Sequence, residues 1–355
     1  MEGLVTGLKH PWWYPESLSR RLPNLVARGR VLAATRAFMA GQELVEVETP
    51  ALQISPGMEP HLLSFVTELR GVHPDQRRLL HLHTSPEFAM KKLLVAGMPR
   101  IWQLAKVFRN GERSDTHHPE FSMLEWYRAG AELADLMDDC VALVRAAAHA
   151  AGRDRFRFRG LVCDPYVDWH TVTVAEAFQA YAGIDLLATA PDPYVPDRSL
   201  LAEAASRAGI RVAEDDRWDD IFFRVMFERI EPVLGAGAPT FLTDYPLSMA
   251  ALSRPKAGDP RLSERFELYI CGLELANAFG ELTDAAAQRA RFEADLALQE
   301  RLYGRRTPID EEFLAALAYG MPDSAGIALG FDRLVMLCAG VETIEAVLWA
   351  PVTAP

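Results

Sequence analysis

The chain has 355 residues, of which 50% are hydrophobic and 24% are charged, with 23 glycines and 23 prolines. These proportions are typical of an ordered globular protein and exclude a disordered or fibrous chain. The 37 basic and 49 acidic residues give a formal net charge of -12. A nucleic-acid partner is therefore less expected, because phosphate backbones attract positive charge.

The cysteine spacing and the N-terminus bear on the cellular compartment. The four cysteines lie far apart and form no C-x-x-C pair, so the sequence indicates neither a zinc ribbon nor a disulfide framework. The chain begins with no apolar stretch of signal-peptide or membrane-spanning length. We therefore expect a cytoplasmic protein without membrane association, in which residues 1–22 form an N-terminal tail.

The first predicted elements are a helix and a strand. Asn24 is a candidate N-cap for a helix over residues 25–40, and Gly41 would end that helix. A strand is predicted over residues 44–48, and Pro50 interrupts it because proline cannot donate a hydrogen bond to a sheet ladder.

A second helix and a hairpin follow. Ser85 is a candidate N-cap, with Pro86 at the first helical position. Strands over residues 101–108 and 120–128 flank a polar loop, which predicts a long antiparallel hairpin.

One face of the second strand of this hairpin carries chemically active groups. Alternate side chains of a strand share a face, so Phe121, Glu125 and Tyr127 would line one surface. Phe121 could stack on a purine, while Glu125 and Tyr127 could bind an ammonium group through charge-assisted hydrogen bonds. The alternative is a half-buried strand in which Glu125 pairs with an internal arginine.

A second hairpin is predicted over residues 265–277. Its register places Glu267 opposite Ala276, so that Glu267 and Glu274 lie diagonally on one face. Two carboxylates at this distance could share Mg²⁺, which prefers oxygen ligands and phosphates. Glu281 has the opposite parity to Glu274 and would reach the same side only if the strand kinks near residues 278–280.

The middle of the chain is predominantly helical. Helical composition dominates residues 135–152 and 197–234, with a proline-containing break between them. We predict a small helical insertion at about residues 185–240. Together with the two hairpins, this indicates an α+β fold, an antiparallel β-sheet flanked by helices.

The motifs in their order resemble the class II aminoacyl-tRNA synthetases. Arg109 precedes the polar loop, the following strand contains Glu125-Trp126-Tyr127, and Gly330-Phe331-Asp332-Arg333 stands near the end of the chain. The resemblance implies a synthetase-like catalytic domain over residues 23–355, with no anticodon-binding domain. It also implies a homodimer, since the first helix and strand resemble the motif that forms the dimer interface in this family.

The resemblance assigns roles to particular residues. It implies that Arg109 and Arg333 are catalytic. It implies contacts with an amino-acid substrate for Ser85, Glu87, Glu125, Tyr127, Glu281 and Ala328. It implies ATP binding by Arg109, Asn110, Gly111, Glu112, His117, His118, Phe121, Glu274, Leu275, Gly330 and Arg333. It implies Mg²⁺ binding by Glu267 and Glu274.

Among the families with this core, the elongation factor P lysine ligases resemble this chain over nearly its whole length. It implies ATP-dependent activation of (R)-β-lysine or lysine as an aminoacyl-adenylate, and its transfer to a lysine side chain of elongation factor P. The alternatives are a minimal lysyl-tRNA synthetase-like enzyme, with tRNA the less expected acceptor, and a catalytically silent regulator. A silent copy would be expected to lose Arg109, Arg333 or the metal carboxylates, which are all present.

Ala328 and His118 depart from related sequences. Lysyl-tRNA synthetases place glycine at the position of Ala328, and the extra methyl group would favour the shifted amine of β-lysine. The alternative is a plain small residue in a packed strand. His118 stands where asparagine is usual.

Overall fold

The computed structural model describes residues 11–73, 75–250 and 252–353. In chain order the strands are β1 (Val45–Glu46), β2 (Leu52–Gln53), β3 (Val66–Arg70), β4 (Arg77–Leu82), β5 (Arg100–Phe108), β6 (Glu120–Ala129), β7 (Phe156–Phe158), β8 (Leu161–Cys163), β9 (His170–Thr173), β10 (Thr240–Pro246), β11 (Leu262–Ile270), β12 (Leu273–Gly280) and β13 (Ser324–Gly330). The α-helices are α1 (Pro15–Gly41), α2 (Glu87–Val95), α3 (Leu133–Ala150), α4 (Val174–Ala182), α5 (Arg198–Arg207), α6 (Trp218–Val225), α7 (Ala285–Tyr303), α8 (Glu311–Gly320) and α9 (Phe331–Ala339).

An eight-stranded sheet forms the centre of the molecule, in the order β1-β5-β6-β13-β12-β11-β10-β9. Its pairs are antiparallel except at the two edges, where β1 runs parallel to β5 and β9 runs parallel to β10. Apolar side chains of α1, α3 and α9 pack against one face, and those of α2, α7 and α8 form a second core. The predicted α+β fold, with an antiparallel sheet flanked by helices, is confirmed.

Helix α1 begins at Pro15, so the predicted start at Leu25 was wrong. The predicted cap, Asn24, lies inside the helix and donates from Nδ2 to a backbone carbonyl at 3.3 Å. Residues 1–10 of the predicted tail lie outside the described residues, whereas residues 15–22 belong to α1.

Tertiary contacts explain how α1 continues through Pro23, which cannot donate a backbone hydrogen bond. In the preceding turn, the guanidinium of Arg21 donates to the backbone carbonyls of Leu348 at 2.6 Å and Trp12 at 3.1 Å. These contacts to distant and neighbouring segments hold the turn before Pro23 in place.

The start of α2 is shifted by one residue from the prediction. The helix begins at Glu87, and Pro86 rather than Ser85 is the N-cap. Ser85 still provides a hydrogen-bond partner at the start of the helix, because its Oγ accepts from the Glu87 backbone N–H at 3.0 Å.

The first predicted hairpin is confirmed. Strands β5 and β6 pair without interruption, from Arg100 opposite Arg128 to Phe108 opposite Glu120. Trp126 packs into the α1, α3 and α9 core.

Strands β11 and β12 form the second predicted hairpin, and Cys271-Gly272 is its turn. Beyond the residues next to the turn, the register differs from the predicted one. Glu267 opposes Asn277 instead of the predicted Ala276. The change arises at Leu275, an unpaired extra residue that forms a β-bulge.

The bulge brings Glu281 to the side of the sheet that carries Glu274. One extra residue reverses the facing of every later residue in the strand, so Glu281 and Glu274 line the same cavity. The predicted kink at residues 278–280 was wrong, because β12 pairs regularly with β13 as far as Gly280.

Helices α4, α5 and α6 form a layer with its own apolar core beside β10 and β11. The predicted insertion, at about residues 185–240, does not include α4, which begins at Val174. Within this layer the Phe222 ring stacks on Phe178 at 5.0 Å and on Trp218 at 5.4 Å between centroids.

In the described part of the chain, none of the helices combines the length and apolar composition that a membrane span requires.

Candidate active site

A cavity of about 680 Å³ opens over β6, β11, β12 and β13, bordered by α7 and by residues of the α4–α6 layer. Among the described residues, ten acidic side chains and four arginine side chains line it. This excess of carboxylates favours cationic ligands, because neighbouring negative charges repel one another in a partly enclosed space.

Most of the site residues predicted from sequence line this cavity. They are Ser85, Glu87, Arg109, Glu112, His117, His118, Phe121, Glu125, Tyr127, Glu267, Glu274, Leu275, Glu281, Ala328, Gly330 and Arg333. Asn110 and Gly111 are not part of the lining, and the backbone N–H of Asn110 donates to the carbonyl of Leu63 at 2.7 Å. ATP binding by Asn110 and Gly111 stays a prediction.

Glu125 is at the centre of the predicted amino-acid subsite. Its side chain is fully buried and accepts hydrogen bonds from Ser85 Oγ at 2.6 Å and from the Tyr127 hydroxyl at 2.8 Å. Burial, with the negative charge of Glu87, raises the pKa of Glu125 to about 8. Within the described residues no arginine pairs with Glu125, so the alternative of an internal Arg–Glu pair is not found.

A buried cation that the sequence analysis missed lies beside this subsite. Lys91 of α2 has a side chain that is 1% exposed, and its Nζ forms ion pairs with Glu281 at 2.5 Å and with Glu87. Burial lowers the pKa of Lys91, but the two carboxylates more than offset this and raise it above its ordinary value. Glu281, predicted to contact the substrate amine, therefore already has a partner inside the protein. The spacing of Glu87 and Lys91, four residues apart on a helix, was the available signal.

Strand β13 forms the floor of the subsite. Ala328 lies opposite Glu125, and Gly326 lies opposite Tyr127. A Cβ atom at Gly326 would collide with the Tyr127 ring and with the Glu281 carboxylate. Glycine is therefore required at position 326 for both side chains to occupy the subsite.

Arg109 is positioned to bind an anion. Its guanidinium lies over the Phe121 ring, with Cζ 5.3 Å from the ring centroid. Its Nε atom is buried and has no hydrogen-bond partner among the described residues. A buried polar group without a partner is unfavourable, so this planar donor is suited to a carboxylate or phosphate ligand.

Arg333, in contrast, is held by two other predicted ATP residues. Its Nη1 donates to the Glu274 carbonyl at 2.8 Å, and its Nη2 donates to His117 Nε2 at 2.8 Å. Because Nε2 accepts, the ring proton is on Nδ1, which is 2.8 Å from Ser114 Oγ. Burial and the positive charges of Arg333 and Arg109 lower the pKa of His117 to about 4. His117 is therefore neutral at pH 7.

The ring nitrogens of His118 are both engaged by the backbone. Nδ1 donates to the Glu120 carbonyl at 2.6 Å, and Nε2 accepts from the Val352 N–H at 3.1 Å. These bonds attach the C-terminal segment to the polar loop. An ATP contact by His118 stays a prediction.

The predicted metal ligands, Glu267 and Glu274, share the cavity. Glu267 accepts from Arg265 Nη2 at 2.6 Å and from the Tyr269 hydroxyl at 2.7 Å. Burial and the charge of Glu267 raise the pKa of Glu274 to about 7, and a divalent cation would relieve this repulsion. In residues 11–73, 75–250 and 252–353, no group of three or more His, Cys, Asp or Glu side chains could hold a metal ion. The pair fits Mg²⁺ only with further ligands such as phosphate oxygens.

The family follows from comparison with known sequences. Residues 17–354 match the tRNA synthetases class II (D, K and N). The chain belongs to this family. Membership implies the use of ATP. The cavity agrees with this, because it contains Arg109, whose Nε has no partner among the described residues, and the carboxylates Glu267 and Glu274, which are suited to bind Mg²⁺ together with phosphate.

Three curated relatives of this synthetase-like chain carry the name elongation factor P--(R)-beta-lysine ligase. The protein from Haemophilus influenzae is 39% identical over 345 residues, covering 97% of this chain and 98% of the relative. The Haemophilus ducreyi protein is 38% identical and covers 95% of each chain. The Salmonella paratyphi B protein is 38% identical, covering 95% of this chain and 96% of the relative.

The first testable consequence concerns proton release on ligand binding. With a pKa of about 8, Glu125 is largely protonated at pH 7, whereas an ammonium ligand favours the ionised carboxylate. Calorimetry of lysine binding in buffers of different ionisation enthalpy should show proton release at pH 7 that declines above about pH 8. Glu125→Gln should abolish the proton release that comes from Glu125, and it should weaken lysine binding by roughly tenfold or more. Unchanged proton release in the variant would contradict the assignment.

The second consequence concerns the floor glycine. Gly326→Ala should displace Tyr127 and Glu281 and weaken lysine binding by roughly tenfold or more. Gly41→Ala, at the end of α1, is the matched control, since a Cβ there meets nothing within 4 Å. Calorimetry of both variants tests this, and equal affinities for lysine would show that the subsite tolerates the methyl group.

Proposed function

We propose that this protein is an ATP-dependent ligase that activates (R)-β-lysine, or lysine, as an aminoacyl-adenylate and transfers it to a lysine side chain of elongation factor P. The names of the three curated relatives support this activity, at 38% to 39% identity over nearly the whole chain. The charge balance of the amino-acid subsite supports the substrate class.

The observation that carries the proposal is the number of carboxylates around Lys91. Glu87 and Glu281 pair with its ammonium, and Glu125 lies beside them without a cation. Glu125 is largely protonated at pH 7 in the free protein, and an ammonium ligand would favour its ionised form; three carboxylates against one ammonium then leave two negative charges for the ligand to match. Lysine and β-lysine each carry two ammonium groups, which match this excess. A neutral side chain would leave buried charge uncompensated.

The geometry of the cavity suits adenylate formation. The substrate carboxylate, with a pKa of ~3.5, is ionised at neutral pH and needs no base to become a nucleophile. Arg109 would hold this carboxylate against the α-phosphate, since its fork can bridge two anions. Arg333 would stabilise the triphosphate while His117 and Glu274 keep its guanidinium in place. Mg²⁺, held by Glu267 and Glu274, would supply charge neutralisation of the leaving pyrophosphate.

We also propose a homodimer formed through α1. Three apolar side chains on one face of this helix, Leu18, Leu22 and Val26, are 39%, 46% and 44% exposed. Their spacing of four residues places them in one stripe. Exposed apolar stripes of this kind mark protein contacts.

The proposed function is tested by following both half-reactions. Purified protein with ATP and labelled (R)-β-lysine should catalyse ATP–pyrophosphate exchange, and label should then pass to elongation factor P and not to tRNA. Label on tRNA alone would favour the minimal synthetase. No exchange with either lysine isomer would favour the silent regulator.

Specificity between the isomers is predicted to depend on Ala328. Ala328→Gly should increase kcat/KM for α-lysine relative to β-lysine by roughly tenfold or more, because one methyl group in a pocket is worth about 1–3 kcal/mol. Ala325→Gly is the matched control, since Ala325 lies on the same strand and faces the core. Pyrophosphate exchange with each isomer measures the ratio, and an unchanged ratio in Ala328→Gly would contradict this role.

A further inference from the structure

The loop between β2 and β3 carries a carboxylate, Glu59, that the steps above do not use. Its side chain lines the cavity and is open to the solvent there. Within the described residues, no hydrogen bond or ion pair engages the Glu59 carboxylate.

Most other carboxylates of the cavity have a fixed partner. The engaged ones are Glu87, Glu125, Asp219, Glu267, Glu281 and Asp332. Glu274 is assigned to the metal, and Glu112 lies in the loop predicted to bind ATP. Glu59 is therefore a carboxylate that is free to exchange a proton with a ligand.

Two distant elements hold the segment around Glu59 in place. His61 Nδ1 is 2.8 Å from the Tyr303 hydroxyl at the end of α7. His61 Nε2 is 3.4 Å from Nη2 of Arg217, the residue before α6. Arg305 donates to a backbone carbonyl of the same segment at 3.0 Å. The loop thus has a defined position between α7 and the α4–α6 layer.

The charges around Glu59 make it a suitable base. Glu59 is accessible within the cavity, but the protein that encloses the cavity still raises the pKa of its carboxyl group, and the positive charge of Arg109 opposes this rise. Once Arg109 is bound to phosphate, its lowering effect on the pKa declines, and Glu59 becomes a stronger base. The other charged groups that face Glu59 are Glu87 on α2, Glu112 in the polar loop, Arg265 on β11 and Asp295 on α7.

Asp295 of α7, Glu59 and Arg109 line the same cavity. The charge of Arg109 acts on Glu59, and the charge of Glu59 acts on Asp295. Oδ2 of Asp295 is buried and has no hydrogen-bond partner in the described part of the chain. An ammonium group in this part of the cavity would therefore find the Glu59 carboxylate and Oδ2 of Asp295 available to it.

We propose that Glu59 is the general base of the second half-reaction and takes a proton from the acceptor lysine, with Asp295 attracting its ammonium group. This inference rests on the function proposed above, because it concerns the acceptor of the same reaction. A lysine side chain with a pKa of ~10.4 is almost entirely protonated at neutral pH and cannot attack a carbonyl until it loses a proton.

The acceptor ammonium gives one proton to the Glu59 carboxylate, and the neutral amine attacks the carbonyl carbon of the aminoacyl-adenylate. The new C–N bond forms as the bond from that carbon to the phosphate oxygen breaks, and AMP leaves with the electron pair. The second proton on the nitrogen passes to solvent, which yields the amide.

The test separates the two half-reactions. The wild-type protein, Glu59→Gln and the control Glu300→Gln, an exposed carboxylate on α7, are each loaded with labelled aminoacyl-adenylate. Single-turnover transfer to elongation factor P is then measured from about pH 7 to about pH 9. ATP–pyrophosphate exchange and capture of the adenylate by hydroxylamine, an amine that is already neutral at pH 7, are measured on the same samples.

Glu59→Gln should slow transfer to the protein lysine by about 100-fold or more at pH 7, with the deficit shrinking as pH approaches the lysine pKa of ~10.4. Exchange and hydroxylamine capture should stay within about twofold of wild type. Unchanged transfer, or an equal loss in all three assays, would overturn the role of Glu59. If the wild-type protein exchanges pyrophosphate but labels no protein lysine, the proposed acceptor is wrong and the role of Glu59 falls with it.

Discussion

The buried charge of Lys91 is the interaction on which the amino-acid subsite depends. Glu87 and Glu281 converge on its ammonium in a region where Lys91 itself is 1% exposed. Without the Lys91 ammonium, the buried Glu281 carboxylate would be an isolated charge, which desolvation penalises. Glu125 adds a further carboxyl group with a raised pKa. The subsite is therefore suited to a ligand that supplies ammonium groups, and this is the basis on which we propose a diamino acid as the substrate.

The β-bulge at Leu275 has a comparable role for the sheet. A strand alternates its side chains between two faces, so Glu274 and Glu281 would otherwise point to opposite sides. One unpaired residue between them places a metal-suited carboxylate and a subsite carboxylate in a single cavity. The catalytic surface thus depends on an irregularity that leaves the pairing of β12 with β13 regular.

The two arginines of the cavity differ in how firmly the protein holds them. Arg333 is fixed by His117 and by the backbone of Glu274, while the Nε atom of Arg109 has no partner among the described residues. A tethered guanidinium is suited to a constant electrostatic role, and an unpaired one is suited to bind the reacting groups. Glu59 resembles Arg109 in this respect, since no hydrogen bond or ion pair engages its carboxylate among the described residues, while contacts of His61 and Arg305 hold its backbone segment.

Local patterns in the sequence predicted the two hairpins and the start of α2 to within one residue, because strand alternation and turn chemistry act over a few neighbours. The grouping of most cavity residues was predicted from the resemblance to the class II synthetases. The early start of α1 was not predictable, since Arg21 contacts a carbonyl more than 300 positions away. The same limit applied to the bulge at Leu275, to the pairing of Lys91 with Glu281 and to the place of Glu59 beside α7. Each of these depends on which distant segments meet in the folded chain, and burial between such segments decides both the charge of a side chain and its partner.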